Sequence, residues 1–379
     1  MISTTNATAL QILKGLDSSA SLRDAKAEWV RPPNHGPMWA RAGAAAPIEP
    51  ISQAAKDAIT KIVAILGENG GSVDLSGETY THASISARDN ATIIGGEGND
   101  SIGAGHYASV TGGDGSDSIG VLNYAKVDAG AGDDFIGAYH YADIVAGDGN
   151  DWVSTYGNGK VDAGDGDDYV KGYRYMQVYG GAGNDEIRAY DRATIDAGEG
   201  DDLVITNGGS TIDGGAGNDI IIATDGGAGS IHTFGYNDID GGEGDDYLQT
   251  TDNSTVRGGA GNDTVRLIGA GSTVKFAKGD GQDAILSSDD FTLSIAGYTK
   301  DDVTVTAQGE ELVVSFNGSE ESISLNLSSG ATARLAFEDG SSLDIAGNNA
   351  SRALSFLWSK PDWAPEDPFY LRSASGRAY

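Results

Sequence analysis

The chain has 379 residues, with 57 glycines, 8 prolines, no cysteine and a formal net charge of −32 at pH 7. This charge excludes nucleic acid as a default partner, and the lack of cysteine excludes disulfides and thiolate metal sites. The glycines follow no Gly-X-Y period, which excludes a collagen-like helix. For a cation, the composition offers oxygen ligands.

The first 94 residues precede the glycine-rich region. Residues 1–50 are predicted to form a flexible N-terminal tail that lacks the basic-then-apolar order of a signal peptide. Residues 52–66 carry apolar side chains at helical spacing after Ser52. Residues 51–94 are therefore predicted to contain a capping helix and the first coil of the fold. No apolar run is long enough to span a membrane.

A glycine-rich motif of the form Gly-Gly-x-Gly-x-Asp-x-Ile begins at Gly95 and recurs with a 17-residue period. A 27-residue step interrupts the period once, because residues 224–238 contain an insertion that is either a degenerate repeat or a protruding loop. The aspartates of the eleven copies, the last of them degraded, are Asp100, Asp117, Asp134, Asp151, Asp168, Asp185, Asp202, Asp219, Asp246, Asp263 and Asp283.

Each period also contains two β-branched positions, for example Ile102 and Val110. Such residues at fixed spacing predict parallel strands stacked coil on coil. No proline occurs between Pro50 and Pro361, as expected where every backbone N–H donates to a sheet ladder. The sequence predicts an all-β fold, a right-handed parallel β-solenoid (β-roll or β-helix) of 17-residue coils over residues 95–286.

The motif resembles the nonapeptide Gly-Gly-x-Gly-x-Asp-x-(Ile/Val) of RTX (haemolysin-type) calcium-binding repeats, and the resemblance covers residues 95–285. It implies that aspartate carboxylates and turn carbonyls hold calcium between adjacent coils. A hard cation that needs six to eight oxygens can be satisfied by two stacked turns where one turn has too few. The predicted cofactor is Ca²⁺, up to about ten ions along one edge, with folding coupled to binding.

The predicted ligands are the eleven aspartates together with backbone carbonyls at the first and fourth motif positions. The first positions are Gly95, Gly112, Ala129, Ala146, Ala163, Gly180, Ala197, Gly214, Gly241 and Gly258. The fourth positions are Gly98, Gly115, Gly132, Gly149, Gly166, Gly183, Gly200, Gly217, Gly244 and Gly261. The Asn or Asp before each aspartate is expected to tolerate left-handed backbone. The alternative is a metal-free solenoid with solvated aspartates.

Aromatic residues mark the faces away from the predicted calcium edge. The metal-free edge is predicted to carry Tyr107, Tyr124, Tyr141 and Tyr175, with Tyr139, Tyr156, Tyr173 and Tyr190 in a second register. A structural ladder is favoured for them over a carbohydrate-stacking surface. Phe135, Trp152 and Tyr169 predict an exposed stripe, which is covered by a terminal segment of the chain, binds glycan or mediates self-association.

Residues 287–347 alternate apolar and polar side chains and are predicted to form a C-terminal β cap, similar to the segment that closes many RTX arrays. Residues 348–379 are predicted to be a C-terminal tail and a possible export signal. The resemblance implies a bacterial protein secreted by a type I exporter without a cleaved signal peptide, and the alternative is a specialised injection system.

No His-Glu-x-x-His, Gly-x-Ser-x-Gly or Walker sequence occurs, so the chain is not expected to be an enzyme. The predicted function is that of a secreted, calcium-folded, adhesin-like protein that binds calcium and either extracellular polysaccharide or its own copies. One alternative is a polysaccharide lyase or epimerase, which new reducing ends or unsaturated products would reveal. Another is an injected bacterial effector.

Overall fold

The computed structural model describes residues 70–76, 82–224, 236–309 and 311–347. These residues are all-β apart from a single 3-10 turn at Lys300–Asp302. They belong to two compact units that meet in sequence between Asp148 and Gly149. The predicted capping helix and both predicted tails lie outside the described residues. The domain boundaries proposed from the sequence stay predictions.

The first unit is a parallel β-solenoid in which each coil gives one strand to each of two sheets. Sheet A holds the strands that lead into the aspartate turns, and sheet B holds the strands that follow them. In order, sheet A contains β1 (Ser72–Asp74), β3 (Thr92–Glu97), β5 (Ser109–Asp114), β7 (Lys126–Ala131) and β9 (Asp143–Asp148). Sheet B contains β2 (Ser84–Ser86), β4 (Ser101–Ala104), β6 (Ser118–Val121) and β8 (Phe135–His140).

The second unit repeats this plan, so the predicted parallel β-solenoid with 17-residue coils is confirmed in both units. Its sheet A contains, in order, β11 (Lys160–Asp165), β13 (Gln177–Ala182), β15 (Thr194–Glu199), β17 (Thr211–Ala216), β19 (Asp238–Glu243), β21 (Thr255–Ala260), β23 (Thr273–Ala277), β25 (Phe291–Ala296), β29 (Thr332–Phe337) and β30 (Ser342–Ala346). Its sheet B contains β10 (Trp152–Gly157), β12 (Tyr169–Gly172), β14 (Glu186–Tyr190), β16 (Leu203–Asn207), β18 (Ile220–Thr224), β20 (Tyr247–Thr250), β22 (Thr264–Leu267), β24 (Gln282–Ser287), β28 (Ser322–Leu327), β27 (Glu311–Phe316) and β26 (Val303–Gln308).

Each sheet contributes a ladder of buried β-branched side chains to the core, as the repeat predicts. Val161, Val178 and Ile195 are exact 17-residue partners in sheet A, and all three are buried. Sheet B stacks its own ladder in the same way, for example Val170 on Ile187. Because strand side chains alternate between faces, each coil buries its apolar set and turns the intervening positions outward.

The insertion leaves the register of the ladders intact. β17 pairs with β19 through Thr211 with Asp238 and Ile212 with Ile239, so the solenoid resumes in phase after the extra chain. Residues 225–235 lie outside the described residues, and the choice between a degenerate repeat and a protruding loop stays open. The strands on either side of the insertion, β18 and β19, keep their register with β16 and β17.

The last strands depart from the parallel plan. β26 and β27 pair antiparallel, as do β27 and β28, and β29 and β30 close sheet A in the same way. Beside this region Phe316 stacks on Phe276 and on Tyr298, with ring centroids 5.1 Å and 4.3 Å apart. These aromatic contacts join the antiparallel strands to the preceding coils.

The glycine at the second position of each motif has a backbone conformation that L-residues rarely adopt. Gly113 has a φ of +122°, and a Cβ placed there would overlap the carbonyl oxygen of Gly96 in the preceding coil. The same overlap recurs at Gly181 against Gly164. Adjacent turns therefore approach closely only because both lack side chains at this position.

We expect Gly113→Ala to lower the free energy of unfolding by at least about 1–3 kcal/mol, from backbone strain to which the steric overlap adds. Gly120→Ala is the matched control, because a Cβ there would lie 4.0 Å from its nearest neighbour, Ile102 O. Thermal unfolding in millimolar calcium measures both variants. Equal melting temperatures for the two variants would contradict the conclusion that the close approach of adjacent coils requires glycine at position 113.

Candidate metal centre

Ten of the repeated aspartates occupy the turns that join sheet A to sheet B, Asp283 lies in β24, and all eleven are buried. Their exposure runs from 0% at Asp202 and Asp219 to 8% at Asp283. A carboxylate taken out of water is costly unless hydrogen bonds or opposite charge compensate it. The partners of the two carboxylate oxygens therefore determine what the turns can do.

One carboxylate oxygen is hydrogen-bonded to the backbone of the preceding coil in successive copies of both units. In the first unit, Oδ1 of Asp117 accepts the N–H of Asp100 at 2.7 Å, and Oδ1 of Asp134 accepts that of Asp117 at 2.6 Å. In the second unit, this ladder runs from Asp151 to Asp283 with distances of 2.7–3.1 Å. It passes the insertion and reaches the degraded copy without a break.

The other oxygen is buried without a hydrogen-bond partner in most coils. The Oδ2 atoms concerned are those of Asp100, Asp117, Asp168, Asp185, Asp202, Asp219, Asp246 and Asp263. Buried carboxylate oxygens are normally satisfied, so these Oδ2 atoms have the capacity to bind a further donor or a cation.

A backbone carbonyl of the next coil converges on the same space. A Cβ placed on Gly214 would collide with both Asp219 Oδ2 and the carbonyl oxygen of Gly241. The same pair of oxygens, shifted by coils, surrounds Gly95, Gly112 and Gly180. In the copies with glycine at this position, two oxygens thus converge on one space, and calcium prefers such ligands. In other copies Ala129, Ala146, Ala163 and Ala197 place a methyl group at this position. The first-position residues lie in the sheet A strands just before the turns, for example Gly95 in β3 and Gly214 in β17.

The fourth-position glycines serve the backbone ladder of the turn. Gly98 donates its N–H to Asp114 O at 2.8 Å, and Gly115 donates to Ala131 O at 2.7 Å. The second-position glycines are absent from the predicted ligand set, although they set the approach of adjacent turns. The recurrence of glycine at this position in every copy is the sequence signal that could have identified their role.

Burial raises the pKa of the ladder aspartates above the ordinary value of 3.8. The raised pKa is about 6 for Asp134, Asp219 and Asp263, about 7 for Asp117, Asp168 and Asp185, and about 8 for Asp202, Asp246 and Asp283. The backbone N–H that each carboxylate accepts acts in the opposite direction, and neighbouring carboxylates add to the rise in most of them. Without a cation, the ladder therefore holds protons to a higher pH than ordinary aspartates do.

The residue before the aspartate makes a second ladder of opposite direction. Oδ1 of Asn184 accepts the N–H of Asp201 in the following coil at 2.7 Å, and Oδ1 of Asp201 accepts that of Asn218 at 2.7 Å. None of these three residues has a positive φ. The expectation of left-handed backbone there was wrong, because the side-chain oxygens bridge coils and the glycines supply the positive φ.

Carboxylates alone do not form a metal cluster in these turns. Within the part of the chain that the structure describes, no group of three or more histidine, aspartate or glutamate side chains could hold a metal ion. A cation at this edge would take backbone carbonyls as most of its ligands. Calcium, which accepts carbonyl oxygens readily, suits this donor set better than zinc.

The opposite edge holds part of the tyrosine series as predicted. Tyr107, Tyr124 and Tyr141 have φ values of +58°, +61° and +59°, and their rings stack with centroids 5.0 Å and 4.8 Å apart. The second register does not lie on this edge, because Tyr156 and Tyr190 belong to strands of sheet B. The alternation of those strands turns the two rings outward from the sheet face.

The fold and the turns define a class, that of parallel β-solenoids whose stacked aspartates along one edge fit the architecture of calcium-binding β-rolls. No family model matches the sequence, and no curated protein matches it. Among solved structures, the chain is similar to the extracellular lipase LipA from Serratia marcescens, with 17% sequence identity and a TM-score of 0.24. The match covers 61% of this chain and 38% of the lipase chain, well under two thirds of its length.

We expect Asp202→Asn to change stability in opposite directions with and without calcium. In chelator near pH 7, the variant should be about 1–3 kcal/mol more stable than the parent, because the amide keeps the Oδ1 acceptor and removes the carboxyl group whose charged form is costly to bury. In millimolar calcium it should be less stable, because a ligand charge is lost. Asp128→Asn, an exposed change in sheet A, is the control and should shift both values by less than about 0.5 kcal/mol. A loss of equal size in both conditions would contradict the ligand role.

The raised pKa values predict an unusual pH dependence for the calcium-free protein. Because the folded ladder binds protons more tightly than the unfolded chain, its contribution is fully present below about pH 4 and is lost as pH rises through about 6–8. The melting temperature in chelator should therefore fall between pH 4 and pH 8. In calcium this fall should disappear. High salt, which screens surface repulsion, serves as the control. A melting temperature in chelator that rises with pH would contradict the prediction.

Proposed function

We propose that the chain is a secreted calcium-binding protein of the RTX class, which folds on extracellular calcium and acts without catalysis as a surface, matrix or glycan-binding protein. The observation that carries the calcium proposal is the buried Oδ2 atom that recurs without a donor, for example at Asp185 and Asp219. A divalent ion there would bind the carboxylate in its charged form. It would also relieve part of the repulsion within a chain of net charge −32.

The stacked arrangement supports coupling between folding and binding. The carboxylate of Asp219 and the carbonyl of Gly241 come from different coils, so the oxygens converge only after the coils have stacked. Each bound ion stabilises the folded state by mass action, by about 2.7 kcal/mol when free calcium is one hundred times the dissociation constant. A row of ions would therefore dominate the stability of the solenoid.

The extracellular location follows from calcium supply in this proposal. Extracellular calcium modules have dissociation constants of about 10⁻⁴–10⁻³ M, which the calcium of bacterial cytosol does not reach. The chain would stay extended during export and fold outside the cell. Among the described residues, no helix is long and apolar enough to cross a membrane.

The non-enzymatic role is supported by the sequence and by the outer surface. The sequence contains no His-Glu-x-x-His, Gly-x-Ser-x-Gly or Walker motif. Phe135 and Trp152 are 52% and 46% exposed on sheet B, which suits contact with another molecule. Export by a type I system is part of the same proposal.

Calcium titration of the full chain tests the proposal. In chelator at neutral pH we expect weaker β-sheet circular dichroism and a much lower melting temperature, and millimolar calcium should raise both with a steep dependence on concentration. Magnesium at the same concentration is the control, because it prefers a smaller, near-octahedral site that retains water. A chelator-treated sample with the same spectrum and melting temperature as a calcium-treated one would overturn the proposal.

A further inference from the structure

Three adjacent coils of the second unit present a compact surface on sheet B. Successive outward positions of β10, β12 and β14 are aligned by the parallel register, which pairs Trp152 with Tyr169, Tyr169 with Glu186, and Lys171 with Arg188. The surface, called here the aromatic-basic patch, consists of Trp152, Tyr169, Glu186, Ser154, Lys171, Arg188, Tyr156, Tyr173 and Tyr190.

Aromatic rings form the two outer rows of the patch. Trp152 and Tyr169 lie with ring centroids 4.2 Å apart, while Tyr156, Tyr173 and Tyr190 stack at 5.6 Å and 5.4 Å. Trp152, Tyr156 and Tyr173 are exposed. At about 3.3 Å per residue, the two rows lie roughly 13 Å apart along the strands.

Positive charge runs between the aromatic rows. The Lys171 ammonium lies 5.5 Å from the centroid of the Tyr173 ring, and a hydrogen bond with Tyr173 raises the pKa of Lys171. The neighbouring Arg188 forms an ion pair with Glu186. Two adjacent cations on one face are notable in a chain with 24 basic and 56 acidic residues.

The solenoid does not require these residues. At the corresponding positions of the next coils, the second unit carries Leu203 with Ile205 and Ile220 with Ile222. In the first unit, β4 carries Ser101 and Gly103 at these positions. The same fold accepts small or aliphatic side chains at these positions. The aromatic and basic residues of the patch are therefore not needed for the coils to stack.

We propose that the aromatic-basic patch binds an acidic polysaccharide, whose sugar rings pack against the exposed ring edges of the two aromatic rows while its carboxylate or sulfate groups contact Lys171 and Arg188. This deepens the proposed glycan-binding role and rests on it. An open sheet face suits an extended chain of sugars, because the apolar face of a pyranose ring can cover the outward C–H edges of the aromatic rings and leave its hydroxyls in water. Charge complementarity favours an anionic polymer, and a second copy of a chain with net charge −32 would be repelled over most of its surface.

Binding of matched polymers to the full chain in millimolar calcium tests the patch. Dextran sulfate and dextran share a backbone and differ in charge, and hyaluronan supplies carboxylates in place of sulfates. By isothermal titration calorimetry, we expect dextran sulfate or hyaluronan to bind at least about tenfold more tightly than dextran. Whichever acidic polymer binds identifies the charged group.

Substitutions in the patch should weaken that binding. We expect Lys171→Gln to cost about threefold to tenfold in affinity, and Tyr173→Ala a similar factor. The chain offers a matched control in sheet A of the same unit, where the Lys160 ammonium lies 4.9 Å from the Tyr179 ring without flanking aromatic rows. Lys160→Gln and Tyr179→Ala should change the affinity by less than about twofold.

Several outcomes would overturn the inference. These are equal binding of dextran and dextran sulfate, an unchanged affinity in Lys171→Gln, or an equal loss in the sheet A controls. Binding that appears only after residues 348–379 are deleted would assign the patch to the chain's own end. Circular dichroism of each sample with and without calcium separates the two proposals. A protein that folds on calcium but binds no acidic polymer refutes the patch alone, and one that does not respond to calcium refutes the proposed function.

Discussion

A carboxylate buried in a protein must have its charge balanced, and this chain buries one in every coil of its repeat. One carboxylate oxygen, Oδ1, accepts a backbone N–H from the preceding coil. The other oxygen, Oδ2 of residues such as Asp185, lies near a backbone carbonyl oxygen of the next coil and accepts no hydrogen bond. The glycines, the turn geometry and the raised pKa values all follow from bringing these oxygens together in a dry turn.

Much of this arrangement could be read from the sequence. The 17-residue period predicts parallel register, and the β-branched positions on either side of each aspartate predict which side chains form the core, as Ile93 and Ile102 confirm. The period could not show which carboxylate oxygen the backbone satisfies, because that depends on side-chain rotamers. Nor could it place Tyr156 and Tyr190 on a sheet face, because the alternation of a strand depends on where the strand begins.

The outer faces of the coils are free to differ because the core fixes only alternate positions. Sheet A turns Asp196, Asp213 and Asp240 outward in consecutive coils, and burial together with these neighbours raises the pKa of Asp213. Sheet B of the same unit turns outward the aromatic rings and the cations Lys171 and Arg188. One repeat thus produces an acidic face and a face of mixed character, and the difference lies wholly in positions that stacking leaves unconstrained.

The 27-residue step between Asp219 and Asp246 shows how little one coil depends on the length of another. The hydrogen bond from Asp219 to Asp246 measures 2.7 Å, the same as that between Asp185 and Asp202, which are 17 residues apart. An array whose contacts are confined to nearest neighbours can gain or lose whole modules by duplication or deletion within the gene. Descendants of this sequence could therefore differ in length while keeping every remaining rung in phase.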